Sequence, residues 1–124
     1  VQVDTSTLPF HVYQHGSTMI ATHHGHLKKN EQLTPHFAAM FPQIWGATTY
    51  RYGHTGHVHR RLEREDMGMV MTQHPTLAAP DAFAARNRVG TAGAERAARR
   101  ITYSSKYGEI SANMIRPEML ADAA

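Results

Sequence analysis

Gly53-His54-Thr55-Gly56-His57-Val58-His59 decides how this chain is read. It holds three of the ten histidines in seven residues, with two glycines between them. Alternate residues of a strand face the same way, so an extended reading puts His57 and His59 on one face, ~7 Å apart along the backbone. Two neutral imidazoles so placed can hold one metal ion or two adjacent ones. The glycine before them lets the backbone turn tightly against a site. The same spacing describes two surface histidines equally well, because a lone His-x-His is not specific.

Upstream, Thr48-Thr49-Tyr50-Arg51-Tyr52 is rich in β-formers and leads into this stretch as a strand. Val1 to Asp4 alternates apolar and polar residues and reads as a short strand broken by Leu8-Pro9. Phe10 to Tyr13 alternates again, His15-Gly16-Ser17 supplies a turn, and Thr18 to Thr22 is an apolar run. Together they predict a β-hairpin. Its second strand runs into His23-His24-Gly25-His26. Strand ends with polar, glycine-containing turns are frequent homes for site residues in α/β proteins, although an exposed His-rich loop has the same composition. Lys28 to Glu31 reads as a polar connector. Thr34-Pro35 resembles an N-cap with proline at the first helical position, and Phe37, Met40, Phe41 and Ile44 follow helical spacing. A helix is therefore expected over 34–41, with a distorted turn past Pro42. Its apolar face and Trp45 read as packing.

Downstream, Arg60 to Arg64 reads as a polar strand or loop, Glu65-Asp66 as a turn, and Met67 to Met71 as an apolar strand whose methionines fill a core. His74 to Asp81 is irregular, held by two prolines, and Asp81 caps a short helix over 82–86. Arg86, Arg88, Arg96, Arg99 and Arg100 form a diffuse basic region, readable as a phosphate contact or as a solvated face. Ile101 to Ser104 and Glu109 to Ile115 predict a second hairpin around Lys106-Tyr107-Gly108, and the Ala-rich tail is expected to fray.

The chain has 124 residues, enough for one domain, with 41% hydrophobic and 19% charged residues, a globular rather than disordered balance. Its net charge of +3 suits a phosphate-bearing ligand without demanding one. There is no cysteine, so any metal must be held by histidine and oxygen donors. No apolar run is long enough to cross a membrane and no signal-peptide pattern is present, so a cytoplasmic setting is expected. Residue 1 is Val, which reads as a processed product or a piece of a longer chain. No Gly-rich phosphate loop, nucleophile elbow or catalytic carboxylate pair is found.

A strand ending in His24-Gly25, a helix, another strand and then Gly56-His57-Val58-His59 resembles the C-terminal half of the calcineurin-like metallophosphoesterases. In more detail the chain is similar to phage-type members of that family. Val3-Asp4-Thr5-Ser6, His54-Thr55-Gly56-His57-Val58-His59 and Thr76-Leu77-Ala78-Ala79-Pro80-Asp81-Ala82 carry that resemblance, together with Tyr107-Gly108-Glu109 and Pro117-Glu118-Met119-Leu120. The resemblance implies an α/β fold: the C-terminal half of an α/β/β/α sandwich, with a mixed sheet and hairpins. Residues 1–124 would then be a single domain or a C-terminal half-domain. It implies two divalent metal ions in the complete enzyme (Mn, Zn, Fe or Mg), with His24 and His57 on the second metal and His59 on the first. His26 and His54 would contact substrate. The substrate would be a phosphomonoester or phosphodiester, with nucleic acid among the candidates, cut in the host cytoplasm.

The chain departs from the family pattern in two ways. His26 stands where many relatives have Asp. The family's earlier motifs, Asp-x-His, Gly-Asp and Gly-Asn-His-Asp/Glu, have no counterpart, so no catalytic residue is assigned. The implied partner is an N-terminal half, on the same or another chain, that supplies them. An apolar surface is expected where it packs, which leaves homo-oligomerisation open. Two alternatives compete. His57-Val58-His59 followed by Glu63 also fits a cupin-like barrel with one metal. A non-catalytic structural or interaction remnant explains the missing acidic motifs. His24 beside His57 favours the phosphoesterase, and Glu63 beside both His57 and His59 favours the cupin.

Overall fold

The computed structural model describes residues 1–25, 29–57, 60–77 and 96–123. The fold is mixed α/β and mostly strands. Its first hairpin joins β1 (His11–His15) to β2 (Thr18–His23) through the two-residue turn predicted around Gly16. Two helices follow, α1 (Asn30–Met40) and α2 (Pro42–Ala47), then β3 (Tyr50–Thr55), β4 (Leu62–Asp66) and β5 (Met69–Gln73). A second hairpin, β6 (Ala98–Ser104) and β7 (Gly108–Ile115), precedes a short α3 (Pro117–Asp122).

Five strands form one mixed sheet in the order β1-β2-β3-β5-β4. β2, β3 and β5 run parallel in its centre, flanked by antiparallel β1 and β4. Alternation along the strands sends Met19 and Ala21 of β2 and Met69 and Met71 of β5 to one face. Leu33 and Phe37 of α1 close over them, and all six are buried to within 2%. Gly53 of β3 lies opposite Met71 in register, and a Cβ there would run into the Met71 thioether. The glycine therefore makes the space that Met71 fills. The opposite face carries the β6–β7 hairpin. The Tyr52 hydroxyl accepts the Glu109 N–H at 2.8 Å, and the Thr18 hydroxyl donates to the Ser104 carbonyl at 2.7 Å. The layers are thus helices, a five-stranded sheet and a two-stranded sheet. Among the described residues, no helix is long and apolar enough to cross a membrane.

Several expected boundaries move. Val1 to Asp4 is not a strand, because the Asp4 carboxylate accepts the Ser6 N–H at 2.8 Å and holds a local turn instead. α1 starts at Asn30 rather than Thr34. The Gln32 side chain caps the Lys29 N–H at 3.2 Å, and complete burial of Leu33 in the core outweighs the single backbone bond that Pro35 removes inside the helix. Pro42 begins a second helix rather than a distorted continuation, since Phe41 before it is driven out of helical geometry to φ −127°, ψ 57°. The turn expected at Glu65-Asp66 falls at Met67-Gly68, both at positive φ as a two-residue hairpin loop requires. The helix expected over 82–86, with Arg86 and Arg88, lies outside the described residues. Arg99 is no solvated phosphate contact: it bridges Glu63 at 3.0 Å and Glu109 at 3.1 Å.

Phe37→Ala should lower the unfolding free energy by about 3–5 kcal/mol, through lost transfer and a cavity beneath α1. Tyr13→Ala, at a side chain 59% exposed, should stay within about 0.5 kcal/mol. Urea titrations of the two variants check this pair.

Candidate functional site

Ligands of open α/β sheets gather beyond the carboxyl ends of parallel strands. Here those ends are held level by a ladder that outlasts the strands. Thr22 pairs with His54 and His23 with Thr55. The Gly56 N–H then donates to the His24 carbonyl at 3.1 Å, and the His74 N–H to the Thr55 carbonyl at 2.8 Å. Gly25, at φ +94°, packs on this junction, and a Cβ there would come within 3.3 Å of the Gly56 carbonyl. Its positive φ and that close approach both favour glycine at this turn.

His24 Nε2 and His57 Nδ1 lie 3.2 Å apart, their rings edge to face. The two residues are 33 positions apart in sequence and meet only because β2 and β3 are neighbours. His57 does not extend β3 as the alternating pattern suggests. β3 ends at Thr55, and His57 stands at φ +64°. That left-handed geometry costs a non-glycine residue about 1–3 kcal/mol and concentrates at functional sites. It turns the imidazole across to His24 instead of along the strand. Two imidazoles on one ion, at metal–nitrogen distances of about 2.0–2.1 Å, sit about 2.9–3.4 Å apart for octahedral to tetrahedral angles. The observed spacing fits, and a single proton shared between the rings fits as well. Among the described residues no three His, Asp or Glu side chains converge on one ion. His59, the third expected ligand, and His26, expected at the substrate, lie outside those residues.

His54, also expected at the substrate, stands on the wall of an open cleft of about 450 Å3 shared with His11, Thr22, His24 and Gly56. Both of its ring nitrogens bond within the protein. Nδ1 is 2.8 Å from His74 Nε2, and Nε2 is 2.6 Å from the Tyr103 hydroxyl. A neutral His54 satisfies both contacts with one proton, whichever way the chain is ordered. Burial, followed by the nearby His74 and Arg99 charges, pushes its pKa down to about 4. Burial and Arg99 also lower His74, while burial and Glu109 raise Tyr103. Glu63, the carboxylate of the cupin alternative, is turned elsewhere. It accepts from Arg99 at 3.0 Å and from the Thr72 hydroxyl at 3.3 Å, and Arg99 holds its pKa low.

One pair escaped the sequence reading. Asp4 Oδ2 lies 2.6 Å from His11 Nδ1, and His11 lines the same cleft. Reading Val1 to Asp4 as a strand hid it, because the distance from residue 4 to 11 closes only when the N-terminal segment folds back along β1. The chain matches no family model, and neither a curated protein nor a solved structure is significantly similar to it.

The histidine shifts set a pH dependence. His54 and His74 titrate lower folded than unfolded, so between pH 6.5 and about 4 the unfolded chain binds more protons. Stability should therefore fall as pH drops through that window, with His54 contributing at most about 3 kcal/mol. His54→Phe should flatten the slope. Urea midpoints at about pH 7.5 and about pH 4.5 check it, and an unchanged slope in the variant would remove His54 as the cause.

Proposed function

We propose that this chain is the histidine-bearing, C-terminal half of a metal-dependent phosphoesterase of the calcineurin-like type. The observation that carries the reading is the His24–His57 pair, 3.2 Å apart at the carboxyl ends of adjacent parallel strands, with His57 held at φ +64°. The two-layered sheet with helices on one side supports the corresponding half of an α/β/β/α sandwich. His24 and His57 would hold one divalent ion, and His59 would serve the other. Ions held there would supply charge for phosphate oxygens and acidify a bound water. The chain's own part is to present neutral imidazoles in fixed geometry, backed by a cleft wide enough for a phosphoryl group. A carboxylate to offset the metal charge would have to come from the partner half, because three imidazoles carry no negative charge. The substrate class is a phosphoester, with nucleic acid as one candidate. The cupin alternative has less support, since Glu63 is engaged by Arg99 and Thr72 and the central strands run parallel.

Calorimetric titration of the full native chain with Mn2+ or Zn2+ tests the reading. His24→Ala and His57→Ala should each weaken binding at least about tenfold, whereas His36→Ala, on α1, should not. Affinity should fall as pH drops through the histidine range. Once the N-terminal half is supplied, hydrolysis of bis(p-nitrophenyl) phosphate should be lost in the same two variants. A native chain that takes up neither ion, or variants that bind as well as wild type, would end the proposal and leave a non-catalytic module.

A further inference from the structure

The β6–β7 hairpin covers only part of the sheet face on which it packs. It bonds to Tyr52 of β3 and to Thr18 at the start of β2. On the same face, toward β1, Tyr13 and Ile20 form a cross-strand pair. Tyr13 is 59% exposed there. Gln2 and Val3 of the N-terminal segment run alongside, and an open groove of about 490 Å3 lies between. Val3, Tyr13 and Ile20 give it an apolar lining, with Gln2 and Thr22 as its neutral polar groups. The Asp4 carboxylate beside them is already bonded to His11.

Tyr13 has the form of a stacking platform. His11, Tyr13 and His15 alternate along one face of β1, so Tyr13 stands between the two imidazoles. Its ring lies nearly parallel to that of His15, at 18° with 6.3 Å between centroids. His15 thus supports the ring from the side away from the histidine cleft. The groove also runs into that cleft, since His11 and Thr22, paired in register, line both. From Ile20 to His24 is four residues, about 13 Å of extended chain. That span exceeds the reach from phosphate to base within one nucleotide, and it suits an oligonucleotide.

We infer that the groove is a subsite for one base of a single-stranded oligonucleotide whose phosphate backbone continues into the histidine cleft. The inference deepens the phosphoesterase reading above and rests on it for the phosphate end of the ligand. A nucleobase is flat and uncharged, as a groove with an exposed tyrosine face and no unpaired charge requires. Stacking on that face is tolerant of sequence, because every base presents a π-face. The polar edge of the base suits the Gln2 amide and the Thr22 hydroxyl, which can donate and accept. An alkyl chain in the same place would strip water from those two groups and return no hydrogen bond.

The test compares fluorescein-labelled oligothymidylate with an abasic deoxyribose-phosphate chain of the same length, binding to the full native chain by anisotropy. Tyr13→Ala should weaken oligothymidylate binding about fivefold to 10²-fold, the usual loss for one stacked base, and leave the abasic chain unaffected. Tyr13→Phe should restore the difference. Tyr13 is exposed enough that its truncation leaves the fold nearly unaltered, so the loss reports on the groove. The Tyr13 ring signals should shift with oligothymidylate and not with inorganic phosphate. Equal weakening of both ligands, no weakening of either, or a Tyr13→Phe variant no better than Tyr13→Ala would overturn the base subsite. So would ring signals indifferent to oligothymidylate, or displacement of oligothymidylate from the groove by decyl phosphate at lower concentration, which would assign the groove to an alkyl chain. Mn2+ titration separates the two readings. A chain that takes up Mn2+ through His24 and His57 but does not tell the two oligomers apart would overturn the base subsite alone. Discrimination through Tyr13 without Mn2+ uptake would support the subsite and overturn the phosphoesterase reading.

Discussion

The parallel register of β2 on β3 is the constraint on which the rest depends. Pairing Thr22 with His54 and His23 with Thr55 brings both strands to an end at one level. The bond from the Gly56 N–H to the His24 carbonyl then carries the ladder one step beyond the sheet. A slip of one residue would reverse every side chain on β3 and move Gly53 away from Met71. It would also separate His24 from His57. Core and site are therefore specified by the same register, since Met71 needs the glycine that precedes His54.

Two different environments are built at that end of the sheet. Beyond the strand ends, His24 and His57 are held against each other by backbone geometry, with the left-handed His57 as its cost. On the side of the second sheet, His54, His74 and Tyr103 form a hydrogen-bonded chain that burial keeps neutral. The Arg99 guanidinium beside them is balanced by Glu63 and Glu109. That arrangement ties β4, β6 and β7 into one charged cluster and discourages a proton on the neighbouring imidazoles. Histidine is thus used in two ways within one stretch: His54 as a structural relay and His57 as the candidate ligand.

Much of the fold was legible because it rests on local chemistry. Gly16 closed the first hairpin, the β-branched and aromatic run after Thr48 marked β3, and the methionines of β5 belonged to the core. The misplaced boundaries share a different cause. Pro35 reads as a helix start, yet burial of Leu33 in the core pulls the helix a turn earlier. Alternation through His57 and His59 reads as a strand, yet the ladder stops at Thr55 and the chain turns. In each case a local preference of about 1–3 kcal/mol is set against tertiary contacts of similar or larger size.

The sequence by itself determined the material: no thiol, many imidazoles, glycines beside His24 and His57, and the hairpins that frame a mixed sheet. It also named His24 and His57 as one site, through a resemblance in motif order. Only the tertiary structure decided that their nitrogens stand 3.2 Å apart, that both nitrogens of His54 bond within the protein, and that Asp4 reaches His11. The physical reason is that side-chain chemistry is local to a residue, whereas a site is a set of distances. Those distances come from strand order and register, which no single stretch of the chain contains.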